Sequence, residues 1–138
     1  MPTLHAQPPA NPCPCGGGPG RLAYPACCGR WHAGPLHLQA PDATSLMRSR
    51  YSAYALELAD YLLATWHPST RPAVLGFVPG LRWLGLQVQP ALASDANHTT
   101  VAFVAHSKLG GRAHRLVETS RFVHEQGRWY YLDGDALG

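Results

Sequence analysis

Val101-Ala-Phe-Val-Ala-His-Ser-Lys-Leu-Gly-Gly-Arg-Ala-His-Arg-Leu-Val-Glu-Thr-Ser-Arg-Phe-Val-His-Glu125, continued by Gln126-Gly-Arg-Trp-Tyr-Tyr-Leu-Asp133, alternates in character with a period of two and breaks only at Leu109-Gly110-Gly111 and Gln126-Gly127. That is the pattern of half-buried strands joined by tight hairpin turns. Leu116, Glu118, Ser120 and Phe122 fall on one face of the longest run, and Val117, Thr119, Arg121 and Val123 on the other. The same period reaches back past Ser94-Asp95-Ala96-Asn97 to Pro79-Gly80. The spacing predicts four strands, at 82–92, 99–108, 113–125 and 128–133, in an antiparallel meander.

Upstream of Pro79 the period changes. Met47, Tyr51, Tyr54, Leu58, Tyr61/Leu62 and Thr65 recur at steps of three and four, one face of a helix of about six turns. Arg48, Glu57 and Asp60 fall off that stripe. Asp42, Thr44 or Ser45 serves as N-cap, and Pro68 stops the helix near Trp66-His67. Residues 72–78 read as a short helical turn. A long helix ahead of a meander covers one face of the sheet, so the fold class is α+β, a long helix packed on a curved antiparallel sheet.

The N-terminal third differs in composition. Residues 1–41 hold nine of the thirteen prolines, six of the fourteen glycines, Arg21 and Arg30, and no acid. Such a segment does not bury enough apolar surface to order itself. It does hold all four cysteines, as Cys13-Pro-Cys15 and Cys27-Cys28. Four thiolates close one tetrahedral shell, which suits zinc and leaves no open position for catalysis. Metal binding would supply the folding energy the segment lacks. His32 or His37 is an alternative for one cysteine, and another reading leaves one or two of the four as ordinary thiols. The sequence divides into a disordered 1–12, a cysteine-rich zinc motif at 13–35, a linker from Leu36 to Pro41, and an α+β domain at 42–134.

Charged residues are 14% of the chain and the net charge is +3, too mild by itself to argue for nucleic acid. The N-terminus shows neither a basic n-region nor an apolar h-region, and no apolar run reaches transmembrane length. The expectation is a soluble, cytoplasmic protein with no membrane partner. In a reducing compartment clustered cysteines favour metal over disulfide.

Cys13-Pro-Cys15-Gly16 followed by Cys27-Cys28-Gly29 resembles the metal-binding motif at the C-terminus of the SecA translocation ATPase. Leu46-Met-Arg-Ser-Arg-Tyr-Ser-Ala-Tyr54, Asp60-Tyr61-Leu62, Thr65-Trp-His-Pro-Ser69, Trp83-Leu-Gly-Leu86, Val101-Ala-Phe-Val-Ala105, Glu118-Thr-Ser-Arg-Phe122 and Trp129-Tyr-Tyr-Leu-Asp-Gly134 together resemble the YchJ family of bacterial proteins. The resemblance runs from Cys13 to Gly134. It implies a cystatin-like, nuclear-transport-factor-two-like cone of helices on a strongly bent sheet. Two features depart from the usual zinc module. Gly17 stands where that module has serine. Eleven residues separate the cysteine pairs where the module has about eight, which lengthens a loop at modest entropic cost.

Within the domain, Glu118 lies between Leu116 and Phe122 on an apolar face and calls for a cationic partner, Arg48 or Arg50. The blander alternative is a structural ion pair. His67, at the end of the predicted helix, is either a general base or pocket donor, or a helix C-cap. Tyr51, Tyr54, Trp83, Phe103, Phe122, Trp129 and Tyr130 read as core. Two functions compete. In the first, the zinc motif docks a macromolecular partner beside Arg21, Arg30 and Trp31, a protein or the ribosome as the resemblance to the SecA motif implies, while the cone binds a partner or a small ligand. In the second, the cone is a small acid–base enzyme of isomerase, dehydratase or hydrolase type using Glu118, His67, Tyr54 and Arg48. Homodimerisation through the open sheet face is compatible with either.

Overall fold

The computed structural model describes residues 11–136. Residues 1–10, most of the stretch expected to be disordered, lie outside the described residues. Asn11 and Pro12 are tied in: the Tyr24 N–H donates to the Asn11 carbonyl (2.8 Å), and Pro12 bridges Ala23. A 3-10 turn at Tyr24–Ala26 precedes α1 (Gly29–His32), α2 (Ala43–Ala55) and α3 (Ala59–Ala64). The strands follow as β1 (Arg82–Val88), β2 (Leu92–Ala93), β3 (His98–Leu109), β4 (Arg112–Glu125) and β5 (Arg128–Ala136).

The strands form one antiparallel sheet in the order β1-β3-β4-β5, with β2 pairing β3 beyond the end of β1. Leu109 faces Arg112 and Glu125 faces Arg128, so both expected hairpins close through two-residue turns. The expected strand at 82–92 is interrupted, because Pro90 has no N–H to give the ladder. The Gln89 N–H still reaches the Ala102 carbonyl (2.8 Å). Register shifts leave Leu84 in β1 and Leu132 in β5 unpaired. Such bulges bend a strand and increase its twist, and here they curl the sheet around the helices. On its inner face Thr99, Val101, Phe103, Ala105 and Ser107 of β3 alternate as buried residues and meet Leu46, Met47 and Tyr51 of α2 and Leu62 of α3.

The single long helix is two. After Ala55 the Leu58 N–H returns to the Ala53 carbonyl (2.8 Å) and the Glu57 N–H to the Tyr54 carbonyl (3.3 Å), with Glu57 at φ +57°. This is a Schellman ending, whose left-handed position is usually glycine. With a glutamate there, the sequence carries no stop signal. Residues 72–78 are irregular chain, not a helical turn, and Leu75 and Phe77 pack on the core. Pro72 and Gly76 both disfavour a helix. Beyond α3, Thr65–His67 runs beside β5: the His67 N–H donates to the Tyr131 carbonyl and the Tyr131 N–H to the Thr65 carbonyl, both at 2.8 Å.

Candidate metal centre and cone pocket

The four cysteine sulfurs lie within 4.8 Å of one another and all four residues are buried. Cys13 and Cys15 sit on a tight turn closed by the Gly16 N–H to the Cys13 carbonyl (2.9 Å), and Cys27 and Cys28 lead into α1. The Gly17 N–H donates to Cys15 Sγ (3.4 Å). Gly17 explains the departure from serine. It has φ +78°, and a Cβ there would come within 2.4 Å of the Leu22 backbone. The longer loop folds back through the Leu22 N–H to the Gly17 carbonyl (3.0 Å), so the extra residues and the glycine belong together.

The sulfur geometry fits a metal. Zn–S bonds of about 2.3 Å place tetrahedral sulfurs about 3.8 Å apart, and Cys15 Sγ and Cys27 Sγ are separated by 3.6 Å. The thiols perturb one another. Hydrogen bonds from Cys15 and Cys28 draw Cys13 toward the thiolate. Burial, then the charges on Cys15 and Cys13, push Cys27 up to about 12. Cys28 is held as a thiol mainly by its bonds to Cys13 and Cys15. Bringing all four buried sulfurs to the thiolate needs a compensating cation, and these residues could hold one.

The motif is clipped to α2. Cys13 Sγ contacts Ser52 Oγ (3.5 Å), and Arg48 Nη1 donates to the Cys15 carbonyl (3.2 Å). His32 Nε2 donates to the Ser49 carbonyl (2.8 Å), which leaves Nδ1 to accept from the Tyr24 hydroxyl (2.6 Å). Burial is the main cause lowering the His32 pKa, consistent with a neutral ring. Both His32 nitrogens are used and His37 sits near the Tyr61 ring, 6.5 Å between centroids, so neither histidine joins the four-sulfur cluster. Trp31 is buried under the Arg30 guanidinium, 4.4 Å from its ring centroid, so it offers no exposed aromatic surface beside the motif.

The opposite side of α2 faces a cavity of about 250 Å³ inside the cone. Its walls are rings of Tyr51, Trp83, Phe103 and Phe122, and Arg50, Tyr54, Glu118, Ser120 and Tyr131 bring polar atoms to it. Arg50 is buried; Nη1 donates to the Leu62 carbonyl (2.8 Å) and Thr65 Oγ1 (2.7 Å). Its guanidinium lies over the Trp66 and Tyr131 rings at 4.9 and 4.5 Å. Burial pushes its pKa down to about 10, still charged at neutral pH. Glu118 Oε2 accepts from Ser120 Oγ (2.7 Å).

Of the four proposed acid–base residues, the cavity gathers Glu118 and Tyr54 and leaves out Arg48 and His67. Arg48 points from the other side of α2 to the cysteine turn. His67 Nε2 meets Glu125 (3.0 Å) and Nδ1 meets Ser69 (2.7 Å), away from the pocket. The constellation therefore does not assemble as drawn. Arg50 takes the place given to Arg48, and the spacing alone left that choice open. Arg50 lies three residues from Met47 and four from Tyr54, and Arg48 lies three from Tyr51, so each has a helical neighbour on the stripe.

A bent sheet wrapped on two helices, with a buried four-cysteine motif docked on one of them, defines a cone-fold protein with an N-terminal cysteine module. The family described as YchJ, middle NTF2-like domain, matches residues 42–134. The chain is 58% identical over 132 residues to a UPF0225 protein of Bordetella parapertussis, covering 94% of this chain and 97% of that one. It is 59% identical over 125 residues to a UPF0225 protein of Methylibium petroleiphilum, covering 90% and 88%. Among solved structures, a SEC-C motif containing protein from Rhodopseudomonas palustris superposes with a TM-score of 0.74 at 32% identity, covering 92% of this chain and 99% of that one. One from Psychrobacter arcticus superposes with a TM-score of 0.76 at 27% identity, covering 94% and 84%. The chain belongs to the YchJ family.

Proposed function

We propose that the protein is a zinc-stabilised binding module, in which a closed Cys13-Cys15-Cys27-Cys28 zinc site clamps the N-terminal segment onto α2 and the cone receives a small ligand. The observation that carries this reading is the convergence of four buried sulfurs within 4.8 Å, with Arg48, Ser49 and Ser52 holding the motif from α2. The resident metal would be architectural: four thiolates leave no site for substrate. The SEC-C neighbours support the motif assignment. Elemental analysis of purified, untagged protein tests it. About one zinc per chain with four protected thiols is the expected result; metal-free protein with four reactive thiols would refute it.

Docking of a protein or ribosome on the zinc motif is a second reading. Its support is the apolar side chain of Leu22, 43% exposed beside Arg21, and Leu36, 46% exposed. A partner would contact these, because the sulfurs and Trp31 are covered. Leu22→Ser should abolish its capture without changing zinc content. A catalytic use of the cone rests on Glu118 and Tyr54 sharing one cavity. Turnover abolished by Glu118→Gln would be its mark.

A further inference from the structure

We infer that the cone pocket takes a small uncharged ligand with a flat apolar body and one polar edge that places a hydrogen-bond acceptor beside a donor, the pattern of a primary amide or lactam. This rests on the ligand-binding reading above and gives it a chemical class.

Size comes first. The cavity is about 250 Å³, and a dry apolar cavity of about 150 Å³ holds benzene. There is room for a ring and one substituent. The aromatic walls, Tyr51, Trp83, Phe103 and Phe122, favour a flat body.

Charge decides the polar edge. Among the described residues no carboxylate lies within ion-pair distance of Arg50. Its Nη1 is committed to Leu62 and Thr65, and rings lie over the guanidinium. What it can still offer the cavity is the donor capacity in the guanidinium plane beyond its interaction with Tyr54. Glu118, on the cavity wall, offers acceptor capacity beyond its bond from Ser120. The two charges act on the same place: Tyr54 and Tyr131, which also line the cavity, each feel the field of both. One cation and one anion balance. A charged ligand would compensate one of them and repel the other between the aromatic walls. A neutral group with an acceptor toward Arg50 and a donor toward Glu118 satisfies both.

Gly134 gives this arrangement a steric basis. It lies opposite Ser120 on β5, and a Cβ there would come within 2.5 Å of Glu118 Oε2. The carboxylate rests against bare backbone, and a methyl group would displace it while leaving Arg50 untouched.

Three probes of similar size and different charge test the inference: benzamide, benzoate and benzylammonium, titrated into the full-length, metal-loaded protein. The methyl signals of Met47 and Ala105, both on the cavity wall, report binding. The expected result is that benzamide binds roughly tenfold or more tightly than either ion. Glu118→Gln removes the balancing charge and should turn the preference toward benzoate. Gly134→Ala should weaken benzamide severalfold with the fold intact, and it serves if the glutamine variant does not fold. Tighter binding of benzoate or benzylammonium to the unaltered protein would overturn the neutral class while the ligand-binding reading stood. No shift with any probe would overturn both, leaving the zinc site to its own test.

Discussion

Ser49 and Ser52 lie outside the apolar stripe of α2 and are fully buried. The Ser49 hydroxyl donates to the Leu46 carbonyl and therefore accepts from the Tyr61 hydroxyl, both at 2.7 Å. Ser49→Ala would strand a buried phenol and should cost about 1–3 kcal/mol in urea denaturation. Tyr61→Phe in that background should recover part of the loss, because an absent donor needs no partner. Cys27→Ser addresses the cysteine motif that docks beside these serines. It removes one of four thiolates, and elemental analysis should show loss of the metal, with residues 11–41 becoming open to proteolysis. A variant that kept full metal and protection would mean Cys27 is not a ligand.

At the scale of elements, the break between α2 and α3 is the feature with least sequence signal and a clear physical cost. Glu57 adopts the left-handed conformation at φ +57°, a state that costs a side-chain-bearing residue about 1–2 kcal/mol. Glu57→Gly should therefore stabilise the protein, by about 1 kcal/mol or less once the added freedom of the unfolded chain is counted. A higher urea midpoint at unchanged slope would check this. The break matters because it turns α3 so that Leu62 and Thr65 meet Arg50. A straight helix of six turns would carry them past it. The hairpins, by contrast, were readable to within a residue or two, since Gly110-Gly111 and Gln126-Gly127 are local signals whose turn type sets the register.

For the whole molecule, α2 is the shared wall of two structures. One side carries Arg48, Ser49 and Ser52 to the cysteine motif, and the other carries Met47, Arg50, Tyr51 and Tyr54 to the pocket. Metal removal should thus loosen the cone as well as the N-terminal segment. A chelator should lower Tm in one cooperative transition followed by far-ultraviolet circular dichroism. Two separate transitions, with the cone melting unchanged, would show that the motif does not support α2. No helix among the described residues is long and apolar enough to cross a membrane. What the sequence alone determined is what local chemistry encodes: strand alternation, the turns, the faces of β4, and a cysteine group unlike the rest of the chain. Only the tertiary structure decided that Arg50 and not Arg48 enters the pocket, that His67 stays outside it, and that Cys13 docks on Ser52 of α2. Those choices depend on which helix face meets which neighbour, and a periodic stripe cannot report it when a helix is buried on two sides.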